Sequence, residues 1–442
     1  MMSDTERIRE HVVPLTKNPS FLELFDDIGE RRFVLLGEAT HGTDEFYSIR
    51  AKLSQELIQK KGFDAIVIEG DWPDSYEVNR YLHGSSEFSN AKSALIGFER
   101  FPTWMWRNTV VQDFIEWLKT HNQTQANHQK VHFYGFDLYS LFKSIDVILQ
   151  FLKKRDPVLW ERAKERFSCF DHCNRDAQIY GYLSKYATSS QSCESAVIKQ
   201  LQEIFKYKDY LNTPDNKQAD EFFSIYQNAR LIQNAENYYR QMYASGVSSW
   251  NLRDTHMMAT IHQIDQYLSK HLQQPAKIIV WAHNSHIGDA MATELGQRGE
   301  LNVGQLMRDH YSTQAYLVGF TTHHGFVTAA SEWGGVAERK RVNRALPNSY
   351  EGFFHELGLD QFLLITRGRE ELMRILPRNY LERAIGVVYL PHSERASHYF
   401  HADIARQFDA VIHIDETQAV KPLEKEGIFH LDDAPETYPS GF

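Results

Sequence analysis

Short runs of β-branched and aromatic residues recur along the chain and alternate with stretches of helical periodicity. The runs are almost continuously apolar, which is typical of strands covered on both faces. Amphipathic stretches, such as 46–61 and 106–120, lie between most of them. This alternation predicts an α/β fold, a three-layer α/β/α arrangement with a mostly parallel central sheet. The predicted strands are 32–36, 65–69, 131–136, 278–282, 315–320, 362–365, 385–390 and 410–414.

The strand pattern disappears between residues 143 and 274. This segment is polar and helix-periodic, with aromatic pairs at 222–223 and 238–239. It predicts a helical insertion within a single α/β domain that spans 1–442. The aromatic residues either seal the helices against one another or form a wall over a ligand cleft.

Composition and charge exclude several classes of protein. Lys and Arg number 48 against 58 Asp and Glu, a net charge of −10 without any lysine-rich run, which argues against a nucleic-acid partner. No run approaches the roughly 18 to 20 apolar residues of a membrane-spanning helix, and the amino terminus does not resemble a secretory signal. We therefore expect a cytoplasmic protein without a membrane partner.

The three cysteines, Cys169, Cys173 and Cys193, fall in one polar segment. Their odd number predicts neither a disulfide framework nor a four-ligand zinc site, and indicates a reducing compartment. Cys169 and Cys173, with His172 between them, are expected to be solvated helix residues rather than metal ligands.

Polar side chains cluster where predicted strands end, and in a parallel sheet these ends form the ligand crevice. The first strand runs into GEATHGTDEF, where Glu38 and His41 lie three residues apart and face the same space if the turn is helical. A carboxylate partner fixes the tautomer of a histidine and raises its basicity. Alternatively, Glu38 caps the following helix and His41 is exposed.

The fourth strand runs into WAHNSHIGD, which places His283 and His286 three residues apart. This spacing suits a metal ion, or two imidazoles that face one substrate, or a structural role. Since His41 and Glu38 should reach the same edge of the sheet, we favour a shared functional cluster.

The second strand runs into Glu69 and Asp71. Glu69 follows the apolar run AIVI, where a carboxylate must be protonated or meet a cation. Arg50, on the helix after His41, is the predicted partner. A Glu69 and Arg50 pair would be a structural ion pair or would offer a guanidinium to a substrate carbonyl oxygen.

Several common catalytic signatures are missing from the sequence. There is no G-x-S-x-G elbow, and Ser285 stands between two histidines without a strained glycine turn. No phosphate-binding loop, no G-x-G-x-x-G motif after a strand and no HEXXH zinc signature occurs. A serine nucleophile and a nucleotide cofactor are therefore not expected.

The segments GEATHGTDEFYSIR, IEGDW, RDTHMM and WAHNSHIGD resemble the motif series of the erythromycin esterase family, which includes enzymes that open macrolide lactone rings. The resemblance extends from about Leu35 to Pro422. It implies a fold with a helical excursion between the third and fourth strands, and no metal or cofactor. It leaves the substrate open, because the variable insertion selects the ligand.

Position by position, the resemblance implies a histidine base at His41, supported by Glu38, with Arg50 and Glu69 lining the cleft. His283 and His286 face the base across the sheet edge. Arg253 and Asp254, in NLRDTHMM, match a motif at the return from the helical excursion. They contact substrate, support residues that do, or form a structural ion pair.

The leading hypothesis is a hydrolase that acts on a small-molecule ester or lactone. His41 activates water, while Arg50 and a second histidine stabilise the oxyanion. A second hypothesis is a metallohydrolase, in which His41, His283, His286 and a carboxylate hold a divalent ion. A third is a non-catalytic protein that binds a small molecule. The predicted catalytic residues are His41, Glu38, His283 and His286, and the predicted substrate-binding residues are Arg50, Glu69, Asp71 and Arg253.

Overall fold

The buried strand runs pair into a nine-stranded sheet in the computed structural model, which describes residues 4–15, 20–25, 27–186, 192–212, 216–243 and 246–424. The strands of the chain are β1 Val12–Pro14, β2 Phe33–Leu36, β3 Ala65–Asp71, β4 His132–Asp137, β5 Ile278–Trp281, β6 Ala315–Ala329, β7 Glu338–Val342, β8 Gln361–Ile365, β9 Tyr380–Arg383, β10 Tyr399–Ala402 and β11 Ala410–Thr417.

The central part of the sheet is parallel. Its order is β1-β8-β11-β6-β2-β5-β3-β4, with β7 beside β6, and every neighbouring pair from β11 to β4 is parallel. The pairs β1 with β8, β8 with β11, and β6 with β7 are antiparallel. Strands β9 and β10 form a separate two-stranded sheet. The predicted α/β class with a mostly parallel sheet is confirmed.

Helices cover both faces of this sheet. The α-helices are α1 Asp4–Arg9, α2 Phe21–Leu24, α3 Asp44–Lys61, α4 Trp72–Leu82, α5 Ala91–Ala94, α6 Thr109–Gln123, α7 Leu141–Arg155, α8 Pro157–Phe167, α9 Ala177–Tyr186, α10 Glu194–Phe205, α11 Asn216–Gln241, α12 Gly246–Leu272, α13 Asn284–Ile287, α14 Glu294–Gln297, α15 Val303–Tyr311, α16 Tyr350–His355, α17 Glu370–Ile375, α18 Glu394–Ser397 and α19 Ile404–Gln407. Between β4 and β5, the described residues form helices and no strand.

Alternation along the central strands divides the core into two layers. In β2, Phe33 and Leu35 join the core on the side of the long helices α7 to α12, while Val34 and Leu36 join the core around α3 and α6. All four side chains are fully buried. Because helices cover each face of the sheet, side chains on both faces of a strand are buried, and the strand sequences are almost continuously apolar. In the described residues, no helix is long and apolar enough to span a bilayer.

The strand predicted at 385–390 is wrong. Ile385 and Val388 make only isolated bridges, to Thr40 and Ala330. The backbone amide of Ile385 donates to the carbonyl of Ala39, so this apolar run packs on the loop after β2 rather than entering the sheet. Apolar character reflects burial there, and burial does not require a strand.

The expectation for the cysteines is also wrong. Cys169 and Cys193 form a disulfide, with their Cα atoms 5.7 Å apart. Cys173 is a free thiol, but it is fully buried rather than solvated. Helix α10 brings Cys193 beside the turn that follows α8, and this tertiary contact has no signature in the spacing of the three residues.

Candidate active site

The turn after β2 carries a buried histidine and glutamate pair. Glu38 Oε1 lies 2.9 Å from His41 Nδ1, and the two residues are 0% and 4% exposed. The alternative of an exposed His41 beside a capping Glu38 is therefore wrong. Gly37 is required here, because a Cβ at this position would lie 2.2 Å from the side-chain oxygen of Asn284. The turn after β2 thus packs directly on the turn after β5.

Arg50 fixes the other side of Glu38. Its Nη2 donates to Glu38 Oε2 at 2.5 Å, and its side chain is completely buried. The guanidinium lies over the rings of Tyr47 and Trp281, at 4.5 and 5.1 Å from their centroids. The predicted pair between Arg50 and Glu69 is therefore wrong. Arg50 lies on α3, behind Glu38, and it positions the pair rather than facing a ligand.

Glu69 is the centre of a second buried network. Its Oε1 accepts a hydrogen bond from Arg253 Nη2 at 3.0 Å and lies 3.3 Å from His286 Nε2. Its Oε2 accepts the backbone N–H of His283 at 2.8 Å. Burial alone would raise the pKa of Glu69, but His286, His41 and Arg253 hold it well below its ordinary value. Glu69 is therefore an anion that organises the surrounding cations.

His286 carries a positive charge at neutral pH. Both oxygens of Asp254 approach its Nδ1, at 2.9 and 3.0 Å, while Glu69 faces its Nε2. Burial favours the neutral ring, but the charges of Asp254 and Glu69 raise the pKa of His286 to about 9. Trp250 stacks on this ring, with centroids 4.5 Å apart.

His283 is neutral, although it lies three residues away. Burial and the neighbouring His41 lower its pKa to about 3. Its Nδ1 accepts the backbone N–H of Ser285 at 3.2 Å, which places the ring proton on Nε2. That Nε2 is buried and meets no partner at full hydrogen-bond geometry in the described part of the chain, although the backbone carbonyl of Ala39 lies near enough to the ring to favour a ring proton. The His41 and His283 rings lie 4.8 Å apart, so a neutral N–H donor stands beside the His41 and Glu38 pair.

These groups surround a cavity of about 220 Å³. The polar residues that line it are His41, Glu69, Arg253, His283, Ser285, His286, Ser397 and His398, and its apolar side consists of Trp250, Ala384, Gly386, Val388 and Leu390. Sequence reasoning brought most of the polar side to one edge. The sequence does not identify Trp250 as part of this site, and the apolar run 385–390 predicts a strand rather than a cavity wall.

Asp71 lies outside this cavity. It accepts hydrogen bonds from Arg100 Nε and from the backbone N–H of Tyr139, both at 3.0 Å. Arg253, by contrast, reaches the cavity and also makes a two-pronged pair with Asp137, at 2.7 and 3.0 Å. Of the four predicted substrate-binding residues, Glu69 and Arg253 line the cavity, whereas Arg50 and Asp71 do not.

Residues 58–417 match the family model described as erythromycin esterase, which covers well over half of the chain. The chain belongs to the erythromycin esterase family. This membership makes it a hydrolase of the erythromycin esterase type. The matched range begins after the turn that holds Glu38 and His41, so the placement of these two residues rests on the geometry given above.

Relatives of this erythromycin esterase family member cover most of its length. YbfO of Bacillus subtilis, named as a hydrolase, is 22% identical over 340 residues, 72% of each chain. Erythromycin esterase type II of Escherichia coli is 20% identical over 409 residues, 88% of this chain and 90% of that protein.

Solved structures share the fold of the family member. A Bacillus cereus protein superposes with a TM-score of 0.76 at 21% identity, covering 95% of this chain and 98% of the other. An erythromycin esterase mutant in its open conformation gives a TM-score of 0.66 at 16% identity, with coverage of 93% and 97%. At these identities the likeness extends to the fold alone.

Proposed function

We propose that this erythromycin esterase family member hydrolyses a small carboxylic ester or lactone, with His41 as the general base. One observation carries the proposal: His41, paired with the buried Glu38, lines a small cavity beside a neutral histidine donor and two buried cations. Glu38 accepts the Nδ1 proton of His41, so the basic lone pair is on Nε2. Arg50 holds the second oxygen of Glu38 and so keeps the imidazole in this orientation.

In the proposed reaction, His41 Nε2 takes a proton from water while the water oxygen forms a bond to the carbonyl carbon. The carbonyl oxygen becomes an oxyanion. His283 Nε2–H donates to it, and the charges of His286 and Arg253 stabilise it across the cavity. When the tetrahedral intermediate collapses, the bond to the leaving oxygen breaks and His41 returns the proton to that oxygen. Arg50, assigned to the oxyanion from sequence, instead acts through Glu38.

Ser285 is a poor candidate for a nucleophile, despite lying 2.9 Å from His283 Nδ1. Since the pKa of His283 is about 3, this imidazole is too weak a base to remove a hydroxyl proton at neutral pH. Its Nδ1 also accepts the backbone N–H of Ser285. Direct attack by water is therefore the route that the geometry favours.

A metal-dependent mechanism at the same cavity is less well supported. His286 has a carboxylate at each ring nitrogen and is protonated at neutral pH, whereas a metal ligand must offer a lone pair. Coordination would require His286 to leave Asp254 or Glu69. A base mechanism uses the arrangement without such a change.

The cavity supports a small substrate. Its volume of about 220 Å³ is below the roughly 300–1,000 Å³ of sites that enclose drug-sized ligands. The apolar wall at 384–390 suits an acyl chain or the carbon skeleton of a lactone. We expect short aryl esters and small lactones to be turned over more efficiently than macrolides.

The proposal is tested with His41→Asn, assayed on a short-chain aryl ester with fold checked by circular dichroism. Loss of the general base should lower kcat/KM by about 10²- to 10⁴-fold. The control is His262→Asn, because His262 is a half-buried histidine that contacts Tyr311 outside the cavity. It should hydrolyse the ester like wild type. Retention of full activity by His41→Asn would disprove the assignment.

A further inference from the structure

A second group of histidines lies within β6 and near the end of β11, outside the candidate active site. His323 and His324 are consecutive residues of β6, and Asp415 is in the neighbouring strand β11. His355 ends α16, and His413 precedes Asp415 on β11. We call these five residues the sheet-end cluster.

The inner three residues have ligand atoms at distances that suit one metal ion. One ligand atom each from His323, His324 and Asp415 lies within 4.8 Å of the other two. The two Nδ1 atoms of His323 and His324 are 2.9 Å apart. Two nitrogens bound to tetrahedral zinc at about 2.0–2.1 Å lie roughly 3.3 Å from each other, so the rings need only to separate slightly and turn both lone pairs toward the ion. Within the described residues, no other group meets this criterion.

The outer two histidines provide further ligands or support. His355 Nδ1 lies 2.8 Å from Asp415 Oδ1, and its ring stacks on His323 with centroids 3.8 Å apart. His413 Nε2 lies 3.5 Å from the same oxygen, and its Nδ1 contacts Thr321 Oγ1 at 2.9 Å. Carboxylates and hydroxyls that orient histidines in this way are the usual support of a metal site.

We propose that the sheet-end cluster binds one divalent transition-metal ion of the zinc class. His323, His324 and Asp415 are the ligands, and His355 supplies the fourth. Imidazole nitrogens with one carboxylate are the donor set that zinc prefers, rather than calcium or magnesium. An ion has a path to the cluster, since the side chains of His324, His355 and Asp415 are 23%, 43% and 18% exposed.

Binding would tie together three elements of the fold. The ligands come from β6, β11 and α16, which are distant in sequence and contact one another in the fold. Arg383 Nη2 donates to the carbonyl oxygens of Thr322 and His323, both at 2.7 Å. Arg383 is followed directly by Ala384, which lines the candidate active site. The ion would therefore stiffen one wall of that cavity without touching the reacting groups.

The proposal is tested by titrating Zn²⁺ into untagged, chelator-treated protein in a calorimeter, and by measuring Tm with and without the ion. Binding of one Zn²⁺ per chain and a rise in Tm are expected. Co²⁺ should give the visible absorption of a low-symmetry site with nitrogen ligands. His324→Ala and Asp415→Asn should abolish both the heat of binding and the rise in Tm. Both sites are partly exposed, which favours retention of the fold.

Two controls separate this site from other histidines. His310→Ala removes an exposed histidine whose ring pairs with His262, and it should bind Zn²⁺ like wild type. His41→Asn should also bind one ion, which makes the result independent of the proposed hydrolysis. Absence of stoichiometric binding in wild type would overturn the proposal. So would binding that survives both cluster variants, or that disappears in His41→Asn.

Discussion

The two histidine clusters of this protein differ in what surrounds their carboxylates. In the candidate active site, Glu38 is bound by Arg50, and Glu69 by Arg253 and His286, all of them buried. In the sheet-end cluster, the ion-pair partners of Asp415 in the described residues are histidines alone. One cluster is an arrangement of fixed charges, whereas the other is a group of imidazoles around a single anion.

This difference decides what each cluster can do. Resident cations occupy the carboxylates of the candidate active site, where His283 is neutral and His286 is a cation. In the proposed reaction, His41 is the base. Asp415 forms no ion pair with an arginine of the described residues, and the imidazoles can turn their lone pairs toward one added ion. Histidine content alone therefore does not identify a metal site.

The largest predicted contrast concerns removal of one carboxylate charge from each cluster, in Glu38→Gln and Asp415→Asn. Glu38→Gln leaves Arg50 charged and completely buried, which should lower the free energy of unfolding by about 3–5 kcal/mol. Asp415→Asn, measured in chelator, should cost less, about 1–2 kcal/mol, because Asp415 is partly exposed and its partners are imidazoles, which lower its pKa to about 2.

Urea denaturation of the two variants beside wild type measures this contrast. Glu38→Asp is the matched control at the first position, because it keeps the charge and should retain part of the lost stability. If Glu38→Gln and Asp415→Asn lower the free energy of unfolding equally, Arg50 does not account for a difference between the two clusters.

A second prediction concerns the neutral donor. In His283→Asn, the side-chain oxygen can still accept the backbone N–H of Ser285 and cap α13, but the shorter side chain no longer presents a proton at the Nε2 position. Loss of one oxyanion donor should lower kcat by about 10²- to 10³-fold with a smaller change in KM. Steady-state kinetics on the aryl ester test this. A rise in KM at constant kcat would indicate that His283 only binds the ground state.

The sequence predicted the sheet and the convergence of polar residues because both follow from local pattern. Alternating runs identify buried strands, and strand ends in a parallel sheet share one edge. These two rules predict that Glu38, His41, His283 and His286 lie close together. The first rule failed for 385–390, where an apolar run lines a cavity without entering the sheet.

The pairing of charges was not predictable in the same way. Arg50 is near Glu69 in sequence, but α3 directs it back onto Glu38. Glu69 receives its guanidinium from Arg253, 184 residues further along the chain. Such partners depend on how the helices return to the sheet, which no local pattern encodes. The protonation states of His283 and His286 depend on these partners, so they also required the structure.

The smallest predicted effect is the dependence of stability on the protonation of His286. Its pKa is about 9 in the folded protein against an ordinary value of 6.5, so the folded state holds this proton more tightly than the unfolded chain. The resulting stabilisation is complete below pH 6.5 and is lost as pH rises through 9. Between pH 7 and 9, the free energy of unfolding should fall by roughly 1 kcal/mol per pH unit. Urea denaturation from pH 6 to 10 measures this slope, and His286→Asn should reduce it. An identical slope in the variant would mean that His286 does not bind this proton. The cavity would then lack the buried cation that distinguishes it from the sheet-end cluster.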